Sequence, residues 1–220
     1  MIRQFTSNEF LFLLFAVRWT LLLSLIAFIG GGIAGLFVAL ARTSAWPWLR
    51  RLATGYIQIF QGTPLLMQLF LVFFGASILG GSIDPLLAAA LGLTLNAAAF
   101  LGEIWRGCVQ SVPRTQSEAA ECLGLTRWQT LTDVILPQAM RIATPPTVGF
   151  LVQVLKNTSL ASVVGFVELT RASQVINNSL FQPFLVFGIA GALYFALCYP
   201  LSRLSRALER KLNVGRRQPA

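Results

Sequence analysis

The sequence predicts an all-α fold: a polytopic membrane bundle of about five transmembrane helices, forming a single domain over residues 1–220. Three observations carry that prediction. The chain is 55% hydrophobic and 11% charged, with a mean hydropathy of +0.70, which is too apolar for a fold with a solvated surface. Uncharged runs recur that are long enough to cross a hydrocarbon core of roughly 30 Å at about 1.5 Å per residue. Basic residues concentrate on alternate connections, as the topology rule for membrane helices requires.

Residues 1–18 mix Phe5, Phe10, Leu11, Phe12, Leu14 and Phe15 with Arg3, Asn8, Glu9 and Arg18, and read as an interfacial segment. The first span is the 23-residue uncharged stretch from Trp19 to Ala41. Its apolar region is longer than a signal peptide's and ends at Ala41-Arg42 with basic residues following, so it reads as a retained span rather than a signal peptide. Its Gly31 and Gly35 are four residues apart, a spacing that lets another helix approach closely, within this chain or from another subunit. Arg42, Arg50 and Arg51 bracket Trp46-Pro47-Trp48, a turn at a membrane surface where proline ends the helix and the indoles suit the headgroup boundary.

No charge occurs from Leu52 to Ile83. A second span fits 53–79, loosened at Gly62-Thr63-Pro64 and closed by the turn Gly80-Gly81-Ser82. The third run starts at Pro85, and Glu103 and Arg106 beyond it are placed to pair on one helix face. Pro145-Pro146 marks the start of a fourth span ending near Gly165, with a bend at the prolines. Residues 166–183 are polar, and a final span covers 184–202 before a basic tail.

Residues 118–137, EAAECLGLTRWQTLTDVILP, lie between apolar runs within a loop of about 112–140. Leu123, Leu125, Trp128, Leu131, Val134 and Ile135 recur at helical spacing, Gly124 interrupts the pattern and Pro137 ends it. Two short amphipathic helices with a bend satisfy it. Such an apolar-faced loop is longer than a simple connection needs, so it either docks a soluble partner or lies on the lipid surface.

Lysine and arginine number three in residues 41–52, four in 103–141 and six in 203–220, thirteen of the seventeen in the chain. Those segments face the cytosol, placing the amino terminus outside and the carboxyl terminus inside. The same distribution explains the net charge of +9 without nucleic-acid affinity. There is no histidine, and neither Lys156 nor Lys211 follows a glycine as a phosphate-cradling loop needs. The eight acidic residues show no nucleophile–base pair or metal-ligand cluster. No cofactor is expected in this chain. Cys108, Cys122 and Cys198 are odd in number, lack metal spacing and are expected as free thiols.

Glu118-Ala119-Ala120, then Gly124 after three residues, then Val134-Ile135-Leu136-Pro137 after nine more, resembles the EAA loop of ABC-importer permeases, with Val134 where that family usually has Ile. GTPLLMQLF at 62–70, SVPRTQSEAAECLGL at 111–125, ILPQAMR at 135–141, LKNTSLASVVG at 155–165 and ELTRASQ at 168–174 extend the likeness to polar amino-acid permeases of the histidine and glutamine type. Gln61 stands where such permeases often carry Arg.

The resemblance implies a bacterial inner-membrane assembly of two permeases, identical or paralogous, two cytosolic ATPases that hold ATP and Mg2+, and an extracytoplasmic amino-acid-binding protein. It assigns ATPase coupling to Glu118, Ala119, Ala120, Gly124, Leu136 and Pro137. An ATP-independent channel or carrier and a non-transporting scaffold are the rival classes, separated by whether uptake needs an ATPase and whether solute moves at all.

Lys156 is the one charge inside an apolar span, where an ammonium costs about 2.5–3.5 kcal/mol on insertion scales. It needs a wet cavity or a partner. One reading places it in a substrate pathway with Gln153, Asn157 and Ser159, and with Asn96 of the third span opposite. The other has Lys156 tying helices together through carbonyl oxygens or a carboxylate such as Glu168.

Overall fold

The computed structural model describes residues 5–78 and 80–213. They form helices α1 (Ser7–Thr43), α2 (Pro47–Gly62), α3 (Leu65–Ile78), α4 (Pro85–Gln110), α5 (Arg114–Cys122), α6 (Arg127–Gln129), α7 (Leu136–Asn157), α8 (Leu169–Leu180) and α9 (Pro183–Asn213). A π-helical stretch, Thr130–Ile135, joins α6 to α7, and a 3₁₀ stretch, Thr158–Val164, follows α7. Four helical rods are long and apolar enough to cross a membrane, and the bent pair α2–α3 is the fifth candidate span.

The amino-terminal segment is not a separate interfacial piece. From Ser7 it is one helix with the first span, 37 residues in all and about 55 Å long. Nothing before Gly30 breaks a helix, and the two charges are accommodated near its outer end. Glu9 accepts the Thr6 backbone N–H at 2.9 Å, completing a capping box. Arg18 stacks over Phe15 and Trp19, 5.8 and 5.3 Å from the ring centres.

The second span is broken rather than loosened: α2 and α3 meet at 105°. Pro64 has no N–H to give the Phe60 carbonyl, and its ring crowds that carbonyl. Side chains take over. Gln68 Nε2 donates to the Phe60 carbonyl at 2.8 Å and to the Thr63 carbonyl at 3.1 Å.

Pro137 does not end a helix, and Pro145-Pro146 does not start one; a single rod of 38 residues runs from Arg127 to Val164. Upstream of Pro137 the ladder slips to wider turns, with Leu136 N–H bonded to the Leu131 carbonyl. That slip absorbs the clash a proline would otherwise cause. At the second site Ser205 Oγ of α9 donates to the Pro145 carbonyl at 2.9 Å.

The polar stretch 166–183 contains α8, whose amino end is capped by Glu168. The capping carboxylate accepts Thr170 N–H and Arg171 N–H, both at 2.9 Å.

The core is built on the crossing of α1 and α4. A Cβ on Gly31 would sit 2.5 Å from Ala97 Cβ, and one on Gly102 would sit 3.0 Å from the Gly35 carbonyl oxygen. The small-residue spacing therefore serves packing within the chain. Around it Leu23, Ala27, Leu69, Leu93, Phe150 and Val154 are buried, and Phe100 stacks on Phe150 at 5.5 Å. Glu103 forms the expected pair with Arg106, whose Nε lies 2.8 Å away, and Arg42 approaches the same carboxylate at 4.0 Å.

Candidate coupling loop and solute groove

The loop between α4 and α7 is pinned on one side and free on the other. Val112, Ile135 and Ala139 are buried against Val109, Val134 and Ile142, and Gln138 Nε2 donates to Gln116 Oε1 at 3.3 Å, linking α7 to α5. Of the EAA residues, Ala120 is buried while Glu118 and Ala119 are exposed. Leu123 and Trp128 stand 81% and 72% exposed, and Leu136 and Pro137 are exposed on the rod. Apolar side chains this open, on a loop whose other face is anchored, form a surface that a partner can cover.

The turn inside the loop depends on Gly124, whose φ is +75°. Leu125 N–H bonds the Ala120 carbonyl at 3.1 Å and Gly124 N–H bonds the Glu121 carbonyl at 3.0 Å. This is a Schellman termination of α5, which places its C′ residue in the left-handed region. Thr126 and Gln129 then open the next helix with a reciprocal capping box. The predicted bend between two amphipathic helices is thus present, although the second helix continues as the long rod. α6, the π stretch and α7 run without a break from this loop to Lys156.

The other candidate residues separate into two places. Lys156 and Ser159 line a groove of about 440 Å³ between the rod and α9, with Tyr194, Cys198, Ser202 and Arg206 opposite. Gln153 Nε2 donates to Asn157 Oδ1 at 3.0 Å, one helical turn along the same rod, and Ser159 Oγ donates to the Lys156 carbonyl at 2.8 Å. Asn96 is not opposite Lys156 in this groove. It is buried on α4, where its Nδ2 donates to Gln68 Oε1 at 3.0 Å and to the Phe60 carbonyl at 3.4 Å. Its observed contacts stabilise the break at Pro64. Glu168 does not pair with Lys156 either; it is fully buried and also accepts from Tyr194 Oη at 2.7 Å.

The profile of the family described as "Binding-protein-dependent transport system inner membrane component" matches residues 31–214. The chain belongs to this family. Among its relatives, the probable amino-acid ABC transporter permease YckA of Bacillus subtilis is 36% identical over 204 residues, covering 93% of this chain and 90% of that one. The L-cystine transport system permease TcyB of the same organism is 37% identical, with 90% and 85% covered. The glutamine transport system permease GlnP of Escherichia coli is 33% identical, with 90% and 91% covered. A crystal structure of an amino acid ABC transporter with histidines superposes with a TM-score of 0.90 at 32% identity, over 96% of this chain and 100% of that one. The inward-facing methionine transporter MetNI, at 21% identity and a TM-score of 0.76, shares the fold over 94% of this chain and 99% of its own.

In this permease the α9 side of the groove escaped the sequence reading. Tyr194, Cys198, Ser202 and Arg206 recur every four residues, which places them along one helix face. Tyr194 and Ser202 within the apolar run, with Arg206 just beyond it at the same spacing, were the available signal.

Proposed function

We propose that this chain is the membrane-spanning subunit of an ATP-driven importer for polar or charged amino acids. It works beside a second, identical or paralogous permease, two cytosolic ATPases that bind ATP and Mg2+, and an extracytoplasmic binding protein. The orientation read from the basic residues puts α5 on the cytosolic side, the amino terminus outside and the carboxyl terminus inside the bacterial inner membrane. ATPase closure then moves α5, and the rod carries that motion to the α7–α9 groove.

The observation that carries this reading is the loop itself: anchored by Val112, Ile135 and Ala139, exposing Glu118, Ala119, Leu123 and Trp128, and continuous with the helix that bears Lys156. The relatives named as amino-acid, cystine and glutamine permeases support the solute class.

The test is uptake of labelled amino acids by proteoliposomes holding the whole assembly. Uptake should require internal ATP and cease with Glu118→Lys, while membrane insertion stays normal. ATP-coupled uptake at the wild-type rate in Glu118→Lys would remove the loop from coupling. Uptake persisting without any ATPase subunit would favour a channel or carrier.

A further inference from the structure

A second, larger cavity lies between the early turns of α7 and the last turns of α9, at the opposite end of the rod from Val164. Its volume is about 600 Å³, and Arg141, Ile142 and the Pro145-Pro146 pair line it from the rod while Glu209 and Lys211 line it from α9. It sits at headgroup depth. α9 has 31 residues and is about 45 Å long at 1.5 Å per residue, against a hydrocarbon core of roughly 30 Å. The apolar run of α9 ends at Ser202, which puts Glu209 about 10 Å past it, and the headgroup layer adds roughly 5–8 Å on each side of the core. Long charged side chains at that level reach back to the boundary. The depth is the same whichever way the chain crosses the membrane, and in the proposed orientation the leaflet is the cytosolic one.

The cavity offers charges of both signs, and the chain itself uses none of them. Arg141, Glu209 and Lys211 are exposed, and among the described residues none of the three has a hydrogen-bond or ion-pair partner. Arg206, one turn before Glu209 on the same helix, is turned back to the Ser202 carbonyl at 3.3 Å instead of pairing with it. The wall holds further acceptors. Pro145 and Pro146 have no N–H to return to the Arg141 and Ile142 carbonyls four residues before them, and both of those residues line the cavity. Two cationic donors thus stand near a carboxylate and two carbonyls deprived of their helical partners, with Ile142 and Leu212 adding apolar surface.

We infer that this cavity binds the zwitterionic headgroup of an aminophospholipid, its phosphate held by Arg141 and Lys211 and its primary ammonium by Glu209 and the Arg141 and Ile142 carbonyls. Basic pockets between membrane helices on the cytosolic side are suited to lipid phosphates, and the unpaired carboxylate selects among lipids. A phosphatidylglycerol headgroup would satisfy the cations but bring no ammonium to Glu209. Phosphatidylcholine carries the positive charge, yet its quaternary nitrogen has no N–H to donate. Phosphatidylethanolamine supplies both the phosphate and the N–H donors.

The test counts retained lipid by native mass spectrometry. The whole permease–ATPase assembly, purified in mild detergent, is incubated with equimolar phosphatidylethanolamine, phosphatidylglycerol and phosphatidylcholine of identical acyl chains. One phosphatidylethanolamine should be retained per permease copy, preferred about tenfold over either competitor, the scale of one hydrogen bond to a charged group. Glu209→Gln should abolish that preference over phosphatidylglycerol. Arg141→Gln and, on the other helix, Lys211→Gln should each lower the retention of all three lipids. None of these variants should lower the melting midpoint in lipid-free detergent, because the side chains are exposed and unbonded.

No retained lipid, equal retention of the three, or a preference for phosphatidylethanolamine that survives Glu209→Gln would each overturn the inference. A lower lipid-free midpoint in both Arg141→Gln and Lys211→Gln would show that these cations pair within the assembly, and would also overturn it. Equal binding of soluble glycerophosphoethanolamine or of L-glutamine would assign the cavity to a soluble zwitterion instead of a lipid.

Discussion

At the scale of single residues, Gly124 and Asn96 show how side chains of similar simplicity answer to different physics. A Cβ on Gly124 would meet open space in this chain, so the cost of replacing it comes from its φ of +75°. An L-residue held in the left-handed region loses about 1–2 kcal/mol, and asparagine loses least. Coupled uptake should therefore fall in the order Gly, Asn, Ala, Val at position 124, with membrane insertion unchanged, as measured in proteoliposomes. Asn96 is governed by burial. Asn96→Leu leaves Gln68 Oε1 and the Phe60 carbonyl short of a donor, which should cost about 1–3 kcal/mol. The melting temperature in detergent should drop for Asn96→Leu and also for Asn96→Asp, whose carboxylate offers Gln68 Oε1 no donor.

At the scale of elements, proline acts differently at each of its helical sites. Pro64 breaks α2 from α3 because Gln68 and Asn96 hold the abandoned carbonyl in a sharp bend. Pro137, Pro145 and Pro146 leave the rod continuous, the first beside an adjoining π stretch. At the break one donor to the Phe60 carbonyl, Gln68, is local and the other, Asn96, comes from α4. The α1–α4 crossing gives an independent test. Gly31→Val would drive its side chain into Ala97, and overpacking of this kind costs typically 1–3 kcal/mol. Thermal unfolding should report that loss, whereas Gly55→Val, where nothing lies within 4 Å of the added Cβ, should lose only what helix propensity dictates.

At the scale of the whole molecule, the proposed orientation, with five spans and the α4–α7 loop inside, requires that connections alternate sides. Single-cysteine labelling should reach a probe at Ser82 from outside and one at Gln138 from inside; labelling of both from one side would refute this arrangement. Gln218, a further inside position by the same reasoning, lies outside the described residues. Native thiols offer a control: Cys122 on α5 is exposed while Cys108 and Cys198 are buried. Cys122 should react with an impermeant maleimide in inverted vesicles and not in right-side-out ones.

By itself the sequence determined the class and the approximate spans, and marked the loop proposed to meet a partner, because these follow from local quantities. Hydropathy over some twenty residues, the side on which arginines fall, and the spacing of Glu118, Gly124 and Pro137 are all readable along one dimension. The helical character of residues 7–18 and of α8 was obscured because both mix polar and apolar residues, and their structure depends on the neighbours they pack against. Only the tertiary structure decided that Pro64 breaks a helix while Pro137 and Pro145 do not, that Gly31 and Gly35 are spent inside the chain, and that Asn96 belongs to the break while Lys156 belongs to the groove. The break, the Gly31 crossing and the groove turn on groups more than 30 residues away, such as Asn96 for the Phe60 carbonyl or Ala97 for Gly31. A buried polar atom must find a partner in space, and no periodicity along the chain says which partner the fold will bring to it.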